Sequence, residues 1–220
     1  GCIHRGISEK TANKIYDDMI DFAKYAFNKS HAAAYAVVSY QTAFLKYYYP
    51  VEYMAALMTS VIHNPSKVAE YILSSRKMQI EILPPDINFG ESEFSADHGA
   101  IRYGLSAIKS LGAPMIRAIV EERNENGKYQ SLRDFIERMS GRELNKRAIE
   151  NLIKAGALDQ VAGNRRQKLM VYAEIVDAVN QEKKNAMTGQ MSLFDLISDE
   201  EKEAYEIQMP KVEEYSKEEL

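Results

Sequence analysis

Three residues near the start of the chain, Lys29, His31 and Tyr35, have the types and spacing to hold a nucleotide. His31 and Tyr35 are four apart and share one helical face, while Lys29 precedes the helix start, where the positive end of the dipole favours phosphate. The run Ala32-Ala33-Ala34 leaves that surface bare, so the flanking side chains can lie against something large and flat. The competing reading is that the alanines allow close helix packing and Tyr35 belongs to a core.

A second group surrounds Lys109-Ser110-Leu111-Gly112. The stretch from Ala107 to Pro114, followed by Ile116, Ile119 and Val120, has the form helix, tight turn, helix. Gly112 lets the backbone come close to a ligand and Pro114 presets the next helix start, so the free N–H groups of the turn can hold a DNA phosphate without reading bases. A further instance runs from Leu144 to Lys168. There Ala155-Gly156-Ala157-Leu158 ends one helix and Gly163-Asn164-Arg165-Arg166 opens the next, which puts Arg165 and Arg166 at a second phosphate contact. The alternative is an ordinary helical hairpin with a glycine stop.

Near the end, Gln190-Met191-Ser192-Leu193-Phe194 is an apolar island between Thr188-Gly189 and an acidic run. Polar flanks around an apolar pair describe a short linear motif that orders on binding, with Leu193 and Phe194 entering a pocket and Gln190 fixing the register. A helical turn packing back on the domain is the alternative.

Metal and covalent chemistry find no such support. Asp17, Asp18 and Asp21 set two carboxylates four apart on an amphipathic helix, which a solvated face explains better than a metal site. His4, His31, His63 and His98 have no zinc spacing, and no glycine-rich phosphate loop, nucleophile elbow or paired-histidine helix occurs. No metal site and no self-sufficient catalytic constellation is expected. The lone Cys2 makes no internal disulfide and fits a reducing, cytoplasmic compartment.

These residues must be positioned mainly by helices. Apolar spacing predicts one from Ser8 to Ala26, a second from about His31 to Tyr48 with aromatics on more than one face, a third from Pro50 to about Ile62 and a fourth from Lys67 to about Met78. Near residue 80 the texture changes: Ile80-Glu81-Ile82-Leu83 reads as a short strand and Pro84-Pro85-Asp86 as a rigid connector. Glu93-Phe94-Ser95 and Ile101-Arg102-Tyr103 alternate around Asp97-His98-Gly99, which predicts a small β-hairpin. Helices return at about Pro114 to Arg123, Leu132 to Met139, Leu144 to Ala155 and Asn164 to Lys184. Little fixed structure is expected from 187 onward.

The 220 residues are 45% hydrophobic and 27% charged, with no apolar run long enough to cross a membrane. The formal charge of −4 argues against a nucleic-acid partner until it is divided along the chain. Residues 1–100 carry 9 Lys and Arg against 11 Asp and Glu, residues 101–185 carry 16 against 11, and residues 186–220 carry 3 against 10. The basic excess therefore falls on the two hairpins and the acidic excess on the tail. The chain opens on Gly1 without Met and closes inside a charged pattern, and it is read as a piece of a longer protein.

The stretch from Tyr25 through Phe27-Asn28-Lys29-Ser30-His31 to Ala36, continuing through Ser39-Tyr40-Gln41-Thr42-Ala43 to Tyr49-Pro50, closely resembles the fingers of the alpha subunits of bacterial DNA polymerase III, the C-family replicative polymerases. Leu83-Pro84-Pro85-Asp86-Ile87-Asn88, Ile101-Arg102-Tyr103-Gly104-Leu105, Asn145-Lys146-Arg147 and Lys154-Ala155-Gly156-Ala157 match further along in the same order.

The resemblance implies a mainly α chain of three parts. Residues 1–83 are similar to the C-terminal part of the polymerase fingers, which close over a deoxynucleoside triphosphate, with Lys29 and His31 beside the nucleotide phosphates and Tyr35 against the nascent base pair. Residues 84–186 are similar to a tandem helix-hairpin-helix domain with a small β-hairpin that grips primer–template duplex DNA. The first hairpin has Ser110-Leu111-Gly112 where the motif usually has Gly-hydrophobic-Gly, and the second departs from that pattern. Residues 187–220 are similar to a flexible acidic linker whose Gln190 to Phe194 is the pentapeptide that holds the beta sliding clamp. The family's metal-binding aspartates lie in a palm domain that precedes this stretch. Mg2+ would therefore belong to the parent polymerase, and this piece alone is expected to be inactive. A stand-alone DNA-binding adaptor that recruits a partner through its tail is the competing reading.

Overall fold

The computed structural model describes residues 1–24, 29–142, 144–187, 207–216 and 218. The chain divides into two compact units, Gly1–Pro50 and Val51–Leu220. The first consists of a short 3-10 turn and two helices, α1 (Glu9–Lys24) and α2 (Lys29–Tyr48). Ser8 caps α1 by accepting from the Thr11 N–H at 3.3 Å, as its position before the apolar stripe implies. α2 begins two residues earlier than the expected His31, so Ser30 lies inside the helix. It buries no side chain, so its aromatics stack along its own surface: Phe44 and Tyr48 have ring centroids 4.6 Å apart and Tyr47 and Tyr48 4.8 Å.

The second unit begins with α3 (Pro50–Ser60) and α4 (Pro65–Lys77). Pro at each start fits because the first helical N–H groups have no partner within the helix, and Asn64 caps α4 through the Lys67 N–H. A three-stranded sheet follows, ordered β1 (Ile82–Leu83), β3 (Ala100–Arg102), β2 (Ser95–Asp97). The β2–β3 hairpin forms where the alternation predicts it, and its turn residues His98 and Gly99 both take positive φ, at 50° and 86°. The parallel β1–β3 pairing, Ile82 opposite Ile101, is a non-local addition. Met54, Met58, Val68 and Ile80 pack with Phe94 and Ile101 into one core. Residues on both sides of position 83 share this cluster, and the two compact units meet after residue 50.

Four further helices build a larger core: α5 (Ala113–Asn126), α6 (Leu132–Met139), α7 (Lys146–Lys154) and α8 (Arg165–Met187). Ser131 caps α6 and Asn145 caps α7, each by accepting from the N–H three residues on. Their apolar positions, among them Phe135, Met139, Ile149 and Leu152, converge on Leu105, Ile116 and Ile119 with almost no exposure. Burial of this kind contributes roughly 1.5–3 kcal/mol per large side chain and holds the hairpins rigid. Among the described residues, no helix is long and apolar enough to cross a membrane.

Of the acidic segment, residues 188–206, 217, 219 and 220 lie outside the described residues, and with them the anchor residues Gln190, Met191, Ser192, Leu193 and Phe194. Residues 207–216 carry neither helix nor strand, yet Ile207 and Met209 pack against the core of the hairpins. Charge alone leaves this stretch without structure; two apolar side chains and the backbone groups around them supply the reason it rests on the domain.

Candidate nucleic-acid interface

The first hairpin turn is held from below. Gly104 opens the approach because a Cβ there would lie 2.6 Å from the Glu93 carbonyl carbon, and Leu105 and Ile108 then sink into the core. The chain emerges at Lys109 and Ser110, both exposed, and Ser110 adopts φ 66°. That is the left-handed conformation glycine takes at least cost, and it lies where the motif usually has its first glycine. Leu111 turns back against the core, and Gly112, Ala113 and Pro114 start α5 in the open. Gly112 offers no side-chain cap and Pro114 carries no N–H, so the Ala113 and Met115 N–H groups are those that lack a helical partner at the positive end of the dipole. Asn151, which no spacing singled out, pins the turn from α7 by donating its Nδ2 to the Lys109 carbonyl at 3.1 Å. Lys109, Asn151 and Lys154 line a groove of about 440 Å³ together with Pro85, Tyr103 and Ile108.

The basic excess of residues 101–185 is only partly available to a ligand. Arg123 is ion-paired with Glu91, Arg133 with Glu182, Arg138 and Arg142 with Glu122, Lys146 with Asp177 and Lys154 with Glu150. Burial pushes the Glu122 carboxyl up, but donation from Asn126 and Arg138 and the charges of Arg142 and Arg138 outweigh it and hold it below the usual range. Lys109, Arg117 and Arg147 are exposed and have no acid partner among the described residues. These three, with the open start of α5, belong to the cationic surface that phosphate can reach, as do the exposed Lys128 and Arg166.

The second hairpin differs. Two residues past the end of α7 stands Gly156, φ 82°, where a Cβ would collide with the Arg165 guanidinium. Arg165 does not project into solvent: its Nε and Nη2 grip Asp159 at 2.9 and 2.6 Å. Asn164 and Gln167 cap α8 reciprocally, each side-chain oxygen accepting from the other's N–H at 2.8 Å. The N–H groups of Arg165 and Arg166 donate to the Glu214 carboxylate at 2.9 and 3.1 Å. Lys168, fully buried, donates its ammonium to the Leu158 and Gly163 carbonyls and so closes the turn from inside; burial lowers its pKa.

In the first unit, Lys29, His31 and Tyr35 lie on the opening turns of α2 and all are exposed. The i, i+4 spacing brings His31 and Tyr35 into ring contact, centroids 4.4 Å apart and tilted by 48°. Tyr35 is 61% exposed, so it is a surface ring and not part of a core in this unit.

Residues 79–168 match the family described as the helix-hairpin-helix motif. Over the whole chain, 220 residues are 38% identical to the DNA polymerase III subunit alpha of Borreliella burgdorferi, covering 19% of that protein. The same subunit of Thermus aquaticus is 50% identical over 159 residues, 72% of this chain and 13% of its own length, and that of Chlamydia pneumoniae is 41% identical over 218 residues, 99% of this chain and 18% of its own. The chain thus spans between about an eighth and a fifth of the curated relatives it matches, and the resemblance carried by its motifs holds along its full length.

Proposed function

We propose that this chain is the part of a cytoplasmic replicative DNA polymerase that receives the incoming deoxynucleoside triphosphate, holds the primer–template duplex by its backbone and attaches the enzyme to the beta sliding clamp. The phosphates of the nucleotide meet Lys29 and His31 at the start of α2, where charge and helix dipole act in the same direction, and Tyr35 lies against the nascent base pair. Duplex phosphates meet the N–H groups that open α5 and the ammonium of Lys109, a contact that holds without reading sequence. Gln190 to Phe194 serve as the clamp anchor, and other replisome subunits assemble on the whole polymerase.

Bond formation belongs to another part of that polymerase. Two Mg2+ ions there would activate the primer 3′-hydroxyl and stabilise the departing pyrophosphate. On this reading the metal-binding aspartates lie in the palm that precedes this stretch, so no catalytic step falls to this chain, which by itself would be inactive.

The observation that carries the DNA reading is the exposed Lys109–Gly112 turn at the uncapped start of α5, inside the matched helix-hairpin-helix stretch. Titration of duplexes of unrelated sequence at several salt concentrations tests it. Affinity should be indifferent to sequence and fall linearly on a log–log plot against salt, and Lys109→Ala should reduce the slope by about one. Binding that ignored salt or selected one sequence would contradict it.

A further inference from the structure

The two hairpins share one element, a helix start whose first N–H groups have no partner within the helix, but only one is open. At α5 no side chain caps the helix and residues 112–114 are exposed. At α8 an anion is already seated. It is the carboxylate of Glu214, delivered from 48 residues further along the chain, and its two oxygens divide the Arg165 and Arg166 N–H groups between them. The Tyr215 N–H donates to the same carboxylate at 2.9 Å. Burial pushes this carboxyl up, but those backbone donors and the Arg165 charge overcome the push and hold it below the ordinary range, so it is an anion at neutral pH.

Glu214 does not arrive alone. Gln167 Nε2 donates to the Pro210 carbonyl at 2.7 Å and Asn164 Nδ2 to the Val212 carbonyl at 3.0 Å, so both residues of the α8 capping box also hold the incoming segment. Met209 lies over Gly163, and the Arg166 guanidinium stands 5.7 Å from the Tyr215 ring centroid. The segment has no helix or strand of its own and is held by side chains at one end of one helix.

We propose that residues 207–216 are a clasp over the second hairpin and that the Glu214 carboxylate stands in the place of a backbone phosphate, so that the start of α8 is a latent phosphate site for which duplex DNA and the clasp compete. The inference rests on the DNA-holding reading of the hairpins and extends it. With the clasp seated, duplex DNA is gripped by the first hairpin alone. With it lifted, the N–H groups of Arg165 and Arg166 and the exposed Arg166 side chain become a second grip one hairpin away.

The test compares duplex DNA titrations of the 220-residue chain, over a range of salt, for the wild type, Glu214→Ala, Glu214→Gln and Glu213→Ala. Glu213 is the exposed neighbour, and its removal takes away the same charge without touching α8. Glu214→Ala should tighten duplex binding roughly threefold to tenfold, the size of one charge-assisted contact at a helix start, and steepen the salt slope by about one. Glu214→Gln, which keeps an acceptor for the helix N–H groups and preserves the fold should the alanine not, should give a smaller gain. Equal gains from Glu213→Ala and Glu214→Ala would mean that long-range charge is the cause and would overturn the clasp. Wild-type binding that Glu214→Ala leaves unchanged would overturn the clasp alone, whereas no binding by any of the four would remove the DNA reading as well.

Discussion

Asn88 and Tyr129 exchange two hydrogen bonds across 41 residues of chain: Asn88 Nδ2 donates to the Tyr129 carbonyl at 2.9 Å, and the Tyr129 N–H donates to Asn88 Oδ1 at 2.8 Å. The Asn88 N–H is itself taken by Asp86 Oδ1 at 2.6 Å, and the Tyr129 hydroxyl donates to the Ile119 carbonyl, its pKa pushed up to about 12 by burial. The connector after β1 is thereby locked to the loop between α5 and α6. Asn88→Ala leaves two buried backbone groups without partners, so urea denaturation should show a loss of about 2–4 kcal/mol. A loss under about 0.5 kcal/mol, the range of an ordinary surface change, would mean that this lock contributes nothing.

Ser110 holds φ 66° with a side chain that resists it. Ser110→Gly should raise stability by roughly 0.5–1 kcal/mol, and Ser110→Val should lower it by about 1–2 kcal/mol, because a β-branched side chain tolerates the left-handed region worst. Duplex affinity of Ser110→Gly should stay that of the wild type. A less stable glycine variant would show that the serine side chain supports the turn in some other way.

The Glu122 carboxyl ties together Asn126, Arg138 and Arg142, and its folded pKa lies below the ordinary 4.5. A depressed folded value means the unfolded chain binds the proton more readily, so the contribution is complete above pH 4.5 and is lost as the pH falls through the folded pKa. The stability gap between wild type and Glu122→Gln should therefore be constant near neutrality and narrow on acidification below pH 4.5. A gap that widened in acid would reverse the sign of this account.

Tyr35 touches His31 and is otherwise a surface ring, so its removal should leave the fold within about 0.5 kcal/mol of wild type. In the whole polymerase, Tyr35→Ala should raise the KM for the incoming nucleotide, or relax its selection, with DNA affinity retained. An unchanged nucleotide dependence would remove Tyr35 from the proposed nucleotide site.

For the tail, the double variant Leu193→Ala/Phe194→Ala should abolish a micromolar-class affinity for a ring-shaped clamp while duplex binding persists, since short anchors place most of their energy in a buried apolar pair. Clamp titrations of equal strength for the two proteins would discard the anchor.

The sequence by itself determined what depends on neighbours a few residues apart. Ser8 and Ser131 cap their helices, the β2–β3 hairpin closes at His98-Gly99, α6 runs from Leu132 to Met139 as its periodicity requires, and His31 meets Tyr35 one turn on. Each is written in local chemistry, which acts over three or four residues. The tertiary structure alone decided that Ile82 pairs with Ile101, that Asn88 is shared with Tyr129, that Asn151 holds the Lys109 turn and that Glu214 seats on α8. No pattern in the residues signals these partners, because what unites them is the path of the chain. The two hairpins show the difference most plainly. Both read as phosphate turns, yet one start is left bare by Gly112 and the other is covered by a carboxylate from 49 residues away, and only folding brings that anion to 2.9 Å from the helix it neutralises.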